Sequence, residues 1–282
     1  MTAPATAAVI GGGTMGAGIA HVLLAAGARV TLAEAGQERA AAAREAVAAS
    51  LGRAAGRGRL DATPEDLLAR LSTVDGAAAL PAAAELVVEA VPETVDLKRA
   101  VLADAASACP DAVLASNTSS LSIAEIAAGP AADRVLGMHF FNPVPAQELV
   151  ELVVHDTLDP AVVERTRGWA EALGKTVIVV RDSPGFATSR LGVAVGLEAI
   201  RMLEEGVASA EDIDTGMRLG YRWPMGPLRL TDLVGLDVRL AIAEHLAREL
   251  GPRFTPPALL RDKVARGELG RKSGRGFFDW AG

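Results

Sequence analysis

Two kinds of segment alternate along the first two thirds of the chain: short apolar runs rich in β-branched residues, and longer alanine-rich stretches. The apolar runs predict strands at residues 7–11, 29–33, 71–74, 86–90, 112–115, 135–138, 149–154 and 176–180. Helices are predicted between most of them, at residues 15–26, 37–55, 95–108, 123–128 and 160–173. This alternation predicts a mostly parallel sheet with helices on both faces, and uninterrupted apolar strands are typical of such buried sheets.

The pattern changes after Asp182, where helical periodicity replaces the alternation. Helices are predicted at residues 188–205, 210–219, 227–250 and 257–266, and the only strand-like run is 276–280. We therefore expect two domains, an α/β domain at residues 1–182 and a smaller all-α domain at residues 183–282. The boundary falls in a turn-rich joint at residues 181–185.

Composition restricts the classes of protein to which the chain could belong. Half of the 282 residues are hydrophobic and 22% are charged, which suffices for a folded core, and no run reaches the roughly 18 apolar residues of a membrane span. The formal net charge of −7 argues against nucleic-acid binding. Because Cys109 is the only cysteine, an internal disulfide is impossible and we expect no metal site built on cysteines. We also expect no signal peptide and a cytoplasmic location.

A glycine-rich turn follows the first predicted strand. Gly11, Gly13 and Gly16 form a G-x-G-x-x-G motif that includes Thr14 and Met15. In dinucleotide-binding domains the first glycine permits a tight turn, the second lets a pyrophosphate approach, and the third lets helix and strand pack closely. The following helix would point its free N–H groups at that phosphate. The motif predicts a Rossmann-type, doubly wound domain, although a glycine-rich turn without a ligand is the alternative.

An acidic residue, Glu34, ends the second predicted strand 18 residues after Gly16. This spacing matches the acid that bonds the adenosine ribose in NAD-binding domains. A carboxylate there would repel the 2′-phosphate of NADP, so NAD is the predicted cofactor. The alternative is a solvated acid at a strand end.

Several longer strings, matched in order and in register, resemble one enzyme family. They are ASNTSS at 115–120, GMHFFNPVP at 137–145, ELVE at 148–151, DSPGF at 182–186, PMGP at 224–227, DLVGLD at 232–237 and GRKSGRGFF at 270–278. Together they resemble the L-3-hydroxyacyl-CoA dehydrogenase family, which includes the 3-hydroxybutyryl-CoA dehydrogenases. The resemblance extends from residue 9 to residue 278.

The resemblance implies an NAD-dependent oxidoreductase of fatty acid metabolism that interconverts (S)-3-hydroxyacyl-CoA and 3-oxoacyl-CoA, with short acyl chains as substrates. It implies that His139 is the catalytic base and that Glu151 holds it. A carboxylate on one ring nitrogen fixes the tautomer of a histidine and stabilises the imidazolium. Ser119 would be the hydroxyl that bonds the reacting oxygen of the substrate; a helix cap or turn is its alternative role.

The same resemblance assigns cofactor contacts. Asn142 would lie on the nicotinamide side, and Glu93 and Lys98 match cofactor-contacting positions. Lys272, in the C-terminal tail, would cross back to the cofactor cleft. The ordinary alternatives are a turn residue for Asn142 and a solvated helix charge for Lys98.

Two features concern the substrate. Ser189 stands where the family commonly has asparagine, in the string PGFATSR at 184–190; a serine hydroxyl is shorter and offers one donor where the amide offers two. This departure leaves the placement of the thioester, and the substrate range, open.

Arg53, Arg57 and Arg59 alternate with glycines after the second helix and suit CoA phosphates, although a solvated basic helix end is equally consistent.

The sequence leaves two alternative functions open, and the family resemblance implies an oligomeric state. A related dehydrogenase acting on a carrier-protein-bound hydroxyacyl group and a non-catalytic dinucleotide-binding relative are the alternatives. A β-hydroxyacid dehydrogenase would need a lysine in the helix at 188–205, which has none. We expect a homodimer formed through the α-domain, since the family is typically dimeric. Leu228, Leu230, Leu233 and Val234 are candidate contacts, or equally part of the internal core.

Overall fold

The computed structural model describes residues 2–129 and 131–280. It divides into two compact units, Met1–Asp182 and Ser183–Gly282. Among the described residues, no helix is both long and apolar enough to span a membrane.

The first unit is built on one eight-stranded sheet. Its strands are β1 (Thr6–Ile10), β2 (Arg29–Glu34), β3 (Leu71–Asp75), β4 (Leu86–Glu89), β5 (Val113–Ser116), β6 (Val135–Phe140), β7 (Leu149–Val154) and β8 (Thr176–Arg181). They lie in the order β3-β2-β1-β4-β5-β6-β7-β8, and all neighbours are parallel except β6 and β7. The predicted Rossmann-type sheet is confirmed, with its eight strands in the predicted places.

The helices of the first unit connect these strands. They are α1 (Thr14–Ala25), α2 (Gln37–Ala55), α3 (Pro64–Leu68), α4 (Val95–Ala108), α5 (Ile123–Ile126) and α6 (Pro160–Ala172). The sequence prediction missed α3, which has only five residues. Its start was nevertheless encoded locally: the Thr63 hydroxyl accepts the Asp66 N–H, and Pro64 occupies the first helical position.

The central strands are buried because helices cover both faces of the sheet. Every residue of β4 and β5 is buried, as are Ala7 to Ile10 of β1. Parallel strands of this kind need apolar side chains on both faces. Glu89, at the end of β4, is a fully buried exception.

The second unit is helical. It contains α7 (Thr188–Glu204), α8 (Ala210–Gly220), α9 (Pro227–Val234), α10 (Leu236–Leu250) and α11 (Ala258–Ala265). The prediction of one helix over 227–250 was wrong, because Gly235 has φ 106° and separates α9 from α10. The strand predicted at 276–280 was also wrong: this tail makes only an isolated bridge between Arg275 and Asp279.

The core of the second unit forms between α7, α9 and α10. Leu197, Leu228, Leu236 and Leu246 are among its buried side chains. Leu228 is therefore an internal residue and not a candidate dimer contact. Asp232 on α9, also fully buried, accepts the backbone N–H groups of residues 277 and 278 and thereby anchors the C-terminal tail.

Candidate active site

The three motif glycines perform three different tasks in the turn between β1 and α1. Gly11 has φ 92°, and a Cβ there would lie 2.9 Å from the Ala90 carbonyl oxygen. A Cβ on Gly16 would collide with the carbonyl oxygen of Gly11. A Cβ on Gly13 would have no atom within 4 Å, so this position faces open space. Gly11 and Gly16 shape the turn, and Gly13 leaves its backbone open to a ligand.

A cavity of about 680 Å³ opens beside this turn, at the carboxyl ends of β1, β2 and β4. Thr14, Met15 and Glu34 lie in its wall together with the motif glycines 11 and 13. The site stands where the strand order reverses between β1 and β4, the place where doubly wound sheets bind ligands. Both its position and its free backbone fit a dinucleotide.

Glu34 lies in the cavity wall directly beside the glycine turn. One carboxylate oxygen accepts the Gly12 N–H at 2.5 Å, and the other accepts the Ala35 N–H at 3.2 Å. The carboxylate is thus held at the end of β2, where ribose hydroxyls could exchange with these donors. Arg39, five residues later in the first turn of α2, lines the same cavity. The sequence analysis did not single out Arg39, whose nearness to Glu34 along the chain was the available signal.

His139 and Glu151 face each other across the antiparallel pair β6–β7. The sheet register sets them directly opposite, and His139 Nδ1 lies 2.7 Å from Glu151 Oε2. His139 is 4% exposed and Glu151 is fully buried. Because antiparallel neighbours of this kind share one face of the sheet, the turn between the strands brings together residues twelve positions apart.

The end of β6 is also tied to β5. The side-chain oxygen of Asn117 accepts the Phe140 N–H at 2.9 Å, and the Phe141 ring lies 4.4 Å from the His139 ring. The sequence analysis gave Asn117 no role of its own. The Asn117 contact fixes the backbone that directly follows the histidine.

A buried ion pair lies two strands away from His139, at the end of β4. Lys98 Nζ donates to Glu89 Oε1 at 2.8 Å and to the Val91 carbonyl oxygen at 3.1 Å. The Ser116 hydroxyl donates to Glu89 Oε2 at 2.7 Å. Burial raises the pKa of Glu89, whereas the Lys98 charge opposes that rise. The side chains of Glu89 and Lys98 are both 0% exposed, so the Lys98 ammonium lies inside the protein. A direct contact with the cofactor, which the resemblance implies for Lys98, would instead require the ammonium to lie on the cavity wall.

Glu93 connects this pair to the loop that follows β5. Its Oε2 lies 3.3 Å from Lys98 Nζ, and its Oε1 accepts the Thr118 hydroxyl at 2.5 Å and the Ser119 N–H at 3.0 Å. A chain of polar contacts therefore runs from Glu89 through Lys98 and Glu93 to Ser119. Its effect is to hold the backbone that carries the Ser119 hydroxyl.

The structure brings Asn142 together with the predicted arginines. Arg53, Arg57, Arg59 and Asn142 line one cavity of about 390 Å³. Arg53 and Asn142 also line an adjoining cavity of about 260 Å³ that reaches Thr14. None of the three arginines forms an ion pair with a residue that the structure describes, so their charges are available to an anionic ligand.

Two basic side chains lie beneath this arginine cluster. His21 Nδ1 is 2.8 Å from the Ser50 hydroxyl, and burial, with the charges of Lys175 and Arg53, lowers the pKa of His21 to about 4. Lys175 donates to the carbonyl oxygens of Val144 and Gln147, both at 2.7 Å, and burial lowers its pKa. Lys175 thus holds the loop that follows Asn142. Sequence analysis missed both roles, which depend on segments distant along the chain.

The remaining predicted residues belong to the second unit. Ser189 lies half-buried in the first turn of α7. Lys272 Nζ lies 2.5 Å from Asp237 Oδ2, an ion pair within the same unit. Contact of either residue with a cofactor or substrate stays a prediction.

Comparison with known proteins identifies relatives along nearly the whole chain. Residues 6–183 match the model of the NAD binding domain of 3-hydroxyacyl-CoA dehydrogenase, and residues 185–280 match that of its C-terminal domain. A 3-hydroxybutyryl-CoA dehydrogenase of Mycobacterium tuberculosis is 43% identical over 96% of this chain and 97% of its own. A 3-hydroxyadipyl-CoA dehydrogenase of Escherichia coli is 42% identical over 98% of this chain and 59% of its own.

A solved structure shows the same fold. The crystal structure of (S)-3-hydroxybutyryl-CoA dehydrogenase from Ralstonia eutropha has a TM-score of 0.91 and 39% identity, with 99% of each chain covered. The similarity therefore includes both units and is not confined to the dinucleotide-binding fold.

Proposed function

The chain belongs to the 3-hydroxyacyl-CoA dehydrogenase family and is an NAD-dependent enzyme, and we propose that it interconverts short (S)-3-hydroxyacyl-CoA and 3-oxoacyl-CoA thioesters. The observation that carries this proposal is the buried His139–Glu151 pair, which lies in the same unit as the dinucleotide cavity. The relatives reported above act on acyl groups of four and six carbons, which supports a short acyl chain.

Proton transfer is the task of the histidine pair. When bound, NAD supplies hydride transfer at its nicotinamide. His139 Nε2 accepts the 3-hydroxyl proton during oxidation and returns it during reduction. Glu151 accepts the Nδ1 hydrogen, which selects the tautomer with Nε2 as base, and its charge stabilises the imidazolium. Both effects require the carboxylate at hydrogen-bond distance, where the β6–β7 register puts it.

Ser119 supplies the second polar contact to the reacting oxygen. Its backbone is held by Glu93, so the hydroxyl is presented on a fixed loop. Preorganised donors of this kind stabilise the charge that develops on an oxygen during reaction. Lys98 acts through Glu93 as a positioning residue, since its ammonium is buried.

Residues of this chain would hold the cofactor at both ends. The turn at Gly11–Gly16 would cradle the pyrophosphate, and Glu34 would accept hydrogen bonds from the adenosine ribose hydroxyls. Asn142 would contact the nicotinamide side, and Glu93 would be a further cofactor contact. Lys272 remains a candidate cofactor contact from the second unit.

The substrate makes contacts with three further residues. Arg53 and Arg57 bind the CoA phosphates, since they share a cavity with Asn142 and have no ion-pair partner among the described residues. Ser189 bonds the thioester carbonyl, where its single donor is sufficient.

The enzyme acts as a cytoplasmic homodimer, in line with the exposed apolar side chains of the second unit. Leu233, Val234 and Val238 are each 41% exposed at the junction of α9 and α10. A second copy would cover them. Light scattering at micromolar concentration tests this, and a monomer would contradict it.

One assay series tests the proposed activity. NADH oxidation is followed at increasing concentrations of acetoacetyl-CoA, of longer 3-oxoacyl-CoA thioesters, and of acetoacetyl-loaded acyl carrier protein. Efficient turnover of the short CoA thioesters is expected. Turnover of the carrier-bound substrate alone would refute the proposal, and so would NADH binding without turnover of any of these substrates.

A further inference from the structure

Arg239 is a buried arginine near the start of α10. The residue is only 8% exposed, and the Nε of its side chain has no hydrogen-bond partner. None of the acidic side chains that the structure describes forms an ion pair with it. A buried charge without a counter-ion is costly, and a cation in the first turn of a helix also opposes the helix dipole. Neither the core nor the helix gains from this guanidinium, which points to an anionic ligand.

The charge persists in this environment. Burial lowers the pKa of Arg239 to about 10, which still leaves the guanidinium protonated at neutral pH. A ligand that approached it would therefore meet a full positive charge and a free Nε–H donor. A planar carboxylate matches the shape of a guanidinium, and one of its oxygens could accept the free Nε–H.

The neighbouring helix α7 provides space for this side chain. A Cβ on Gly192 would lie 3.1 Å from Arg239 Nη1, closer than ordinary van der Waals contact. Glycine destabilises a helix interior, so Gly192 leaves room for the guanidinium at a cost in helix stability. The arginine and the glycine form one arrangement.

This arrangement lies beside the residue proposed to hold the substrate. Ser189 precedes Gly192 by three residues and shares its face of α7, about 4.5 Å away along the helix axis at about 1.5 Å per residue. The inference rests on the proposed function, in which Ser189 bonds the thioester carbonyl. The guanidinium then lies about one helical turn from the thioester, within reach of the far end of a short acyl chain.

We propose that Arg239 binds a carboxylate at the distal end of the acyl chain. The substrates would then be short dicarboxylic 3-hydroxyacyl-CoA thioesters, such as those with a six-carbon acyl group. An acyl chain that ends in a methyl group would leave the guanidinium without a counter-ion.

Two thioesters of equal length test this proposal: 3-oxoadipyl-CoA, which ends in a carboxylate, and 3-oxohexanoyl-CoA, which ends in a methyl group. The wild-type holoenzyme should have the higher kcat/KM with 3-oxoadipyl-CoA. In Arg239→Leu the ratio of the two kcat/KM values should fall about 30-fold, since losing one partner of a buried charge pair has at least that effect. Arg248→Leu, an exposed arginine on the same helix, is the matched control and should leave the ratio unchanged.

The outcomes separate this proposal from the proposed function. Turnover of both thioesters with no preference for the carboxylate would overturn the role of Arg239 and leave the dehydrogenase activity standing. Failure to turn over either would contradict the proposed function itself. Arg239→Lys should retain part of the preference, because it keeps the charge and loses the paired donors. A shift of Arg239→Leu from dimer to monomer in light scattering, with the ratio unchanged, would assign the guanidinium to a subunit contact and refute the proposal.

Discussion

Removing the buried ammonium of Lys98 tests the polar chain that leads to Ser119. Lys98→Met keeps a long flexible side chain in a position that is 0% exposed, so packing changes little. The variant loses contacts of 2.8 Å to Glu89, 3.1 Å to the Val91 carbonyl oxygen and 3.3 Å to Glu93. Because it leaves a buried carboxylate without its counter-ion, we expect the free energy of unfolding to fall by about 3–5 kcal/mol.

The loss should depend on pH in a defined direction. Burial raises the pKa of the Glu89 carboxyl, and the Lys98 charge opposes this rise, so removing Lys98 raises the folded-state pKa further. A group whose folded-state pKa lies above its unfolded value stabilises the fold when protonated and loses that stabilisation as pH rises. The stability difference between Lys98→Met and wild type should therefore grow as pH rises above the ordinary glutamate pKa of 4.5.

Urea unfolding at several pH values measures both effects. The double variant Glu89→Gln/Lys98→Met removes the orphaned charge and should recover much of the loss. Arg29→Met, at an exposed position, is the control and should change stability by less than about 0.5 kcal/mol. The reasoning is refuted if Lys98→Met costs less than about 1 kcal/mol at every pH, with no recovery in the double variant.

Three further predictions concern other parts of the first unit. The His21 pKa of about 4 lies below its usual 6.5, so the free energy of unfolding of the wild type should fall by up to about 3 kcal/mol as pH falls from about 6.5 to about 4. Urea unfolding should show a smaller fall for His21→Gln. NADH should be preferred over NADPH, and Glu34→Gln should narrow the ratio of their kcat/KM values about tenfold; an unchanged ratio would contradict the ribose contact. Arg53→Ala/Arg57→Ala should raise KM for acetoacetyl-CoA but not for acetoacetyl-pantetheine, which lacks the CoA phosphates; an equal rise would exclude the phosphate contact.

Elements whose local pattern is unambiguous could be predicted from the sequence. The inner strands are continuous apolar runs that the sheet buries on both faces, whereas β3 and β8 at the two edges of the sheet are largely exposed or half-buried. The glycine turn was equally predictable, since Gly11 and Gly16 occupy positions that a side chain could not, and the spacing of the motif is visible in the sequence. The break at Gly235 was not, because residues on both sides of it have helical composition and the glycine alone does not show that the helix ends.

The polar chain behind Ser119 could not be predicted because its members meet only in the folded sheet. Glu89 appears in the sequence as the end of an apolar strand, and Lys98 appears as an ordinary helix charge. Their pairing depends on α4 packing over the end of β4. The opposition of His139 and Glu151 had a better signal, since both belong to motifs shared with one family and to neighbouring predicted strands.

The central claim, that His139 is the acid–base group, is tested most directly by the turnover of His139→Ala on acetoacetyl-CoA with NADH. General acid–base catalysis contributes about 10²–10⁴-fold, so kcat should fall by at least about 100-fold. NADH affinity, followed by its fluorescence, should change little, because Gly11–Gly16 and Glu34 belong to other parts of the sheet edge. A variant that kept near-full kcat while binding NADH normally would contradict the assignment of His139 and, with it, the proposed mechanism.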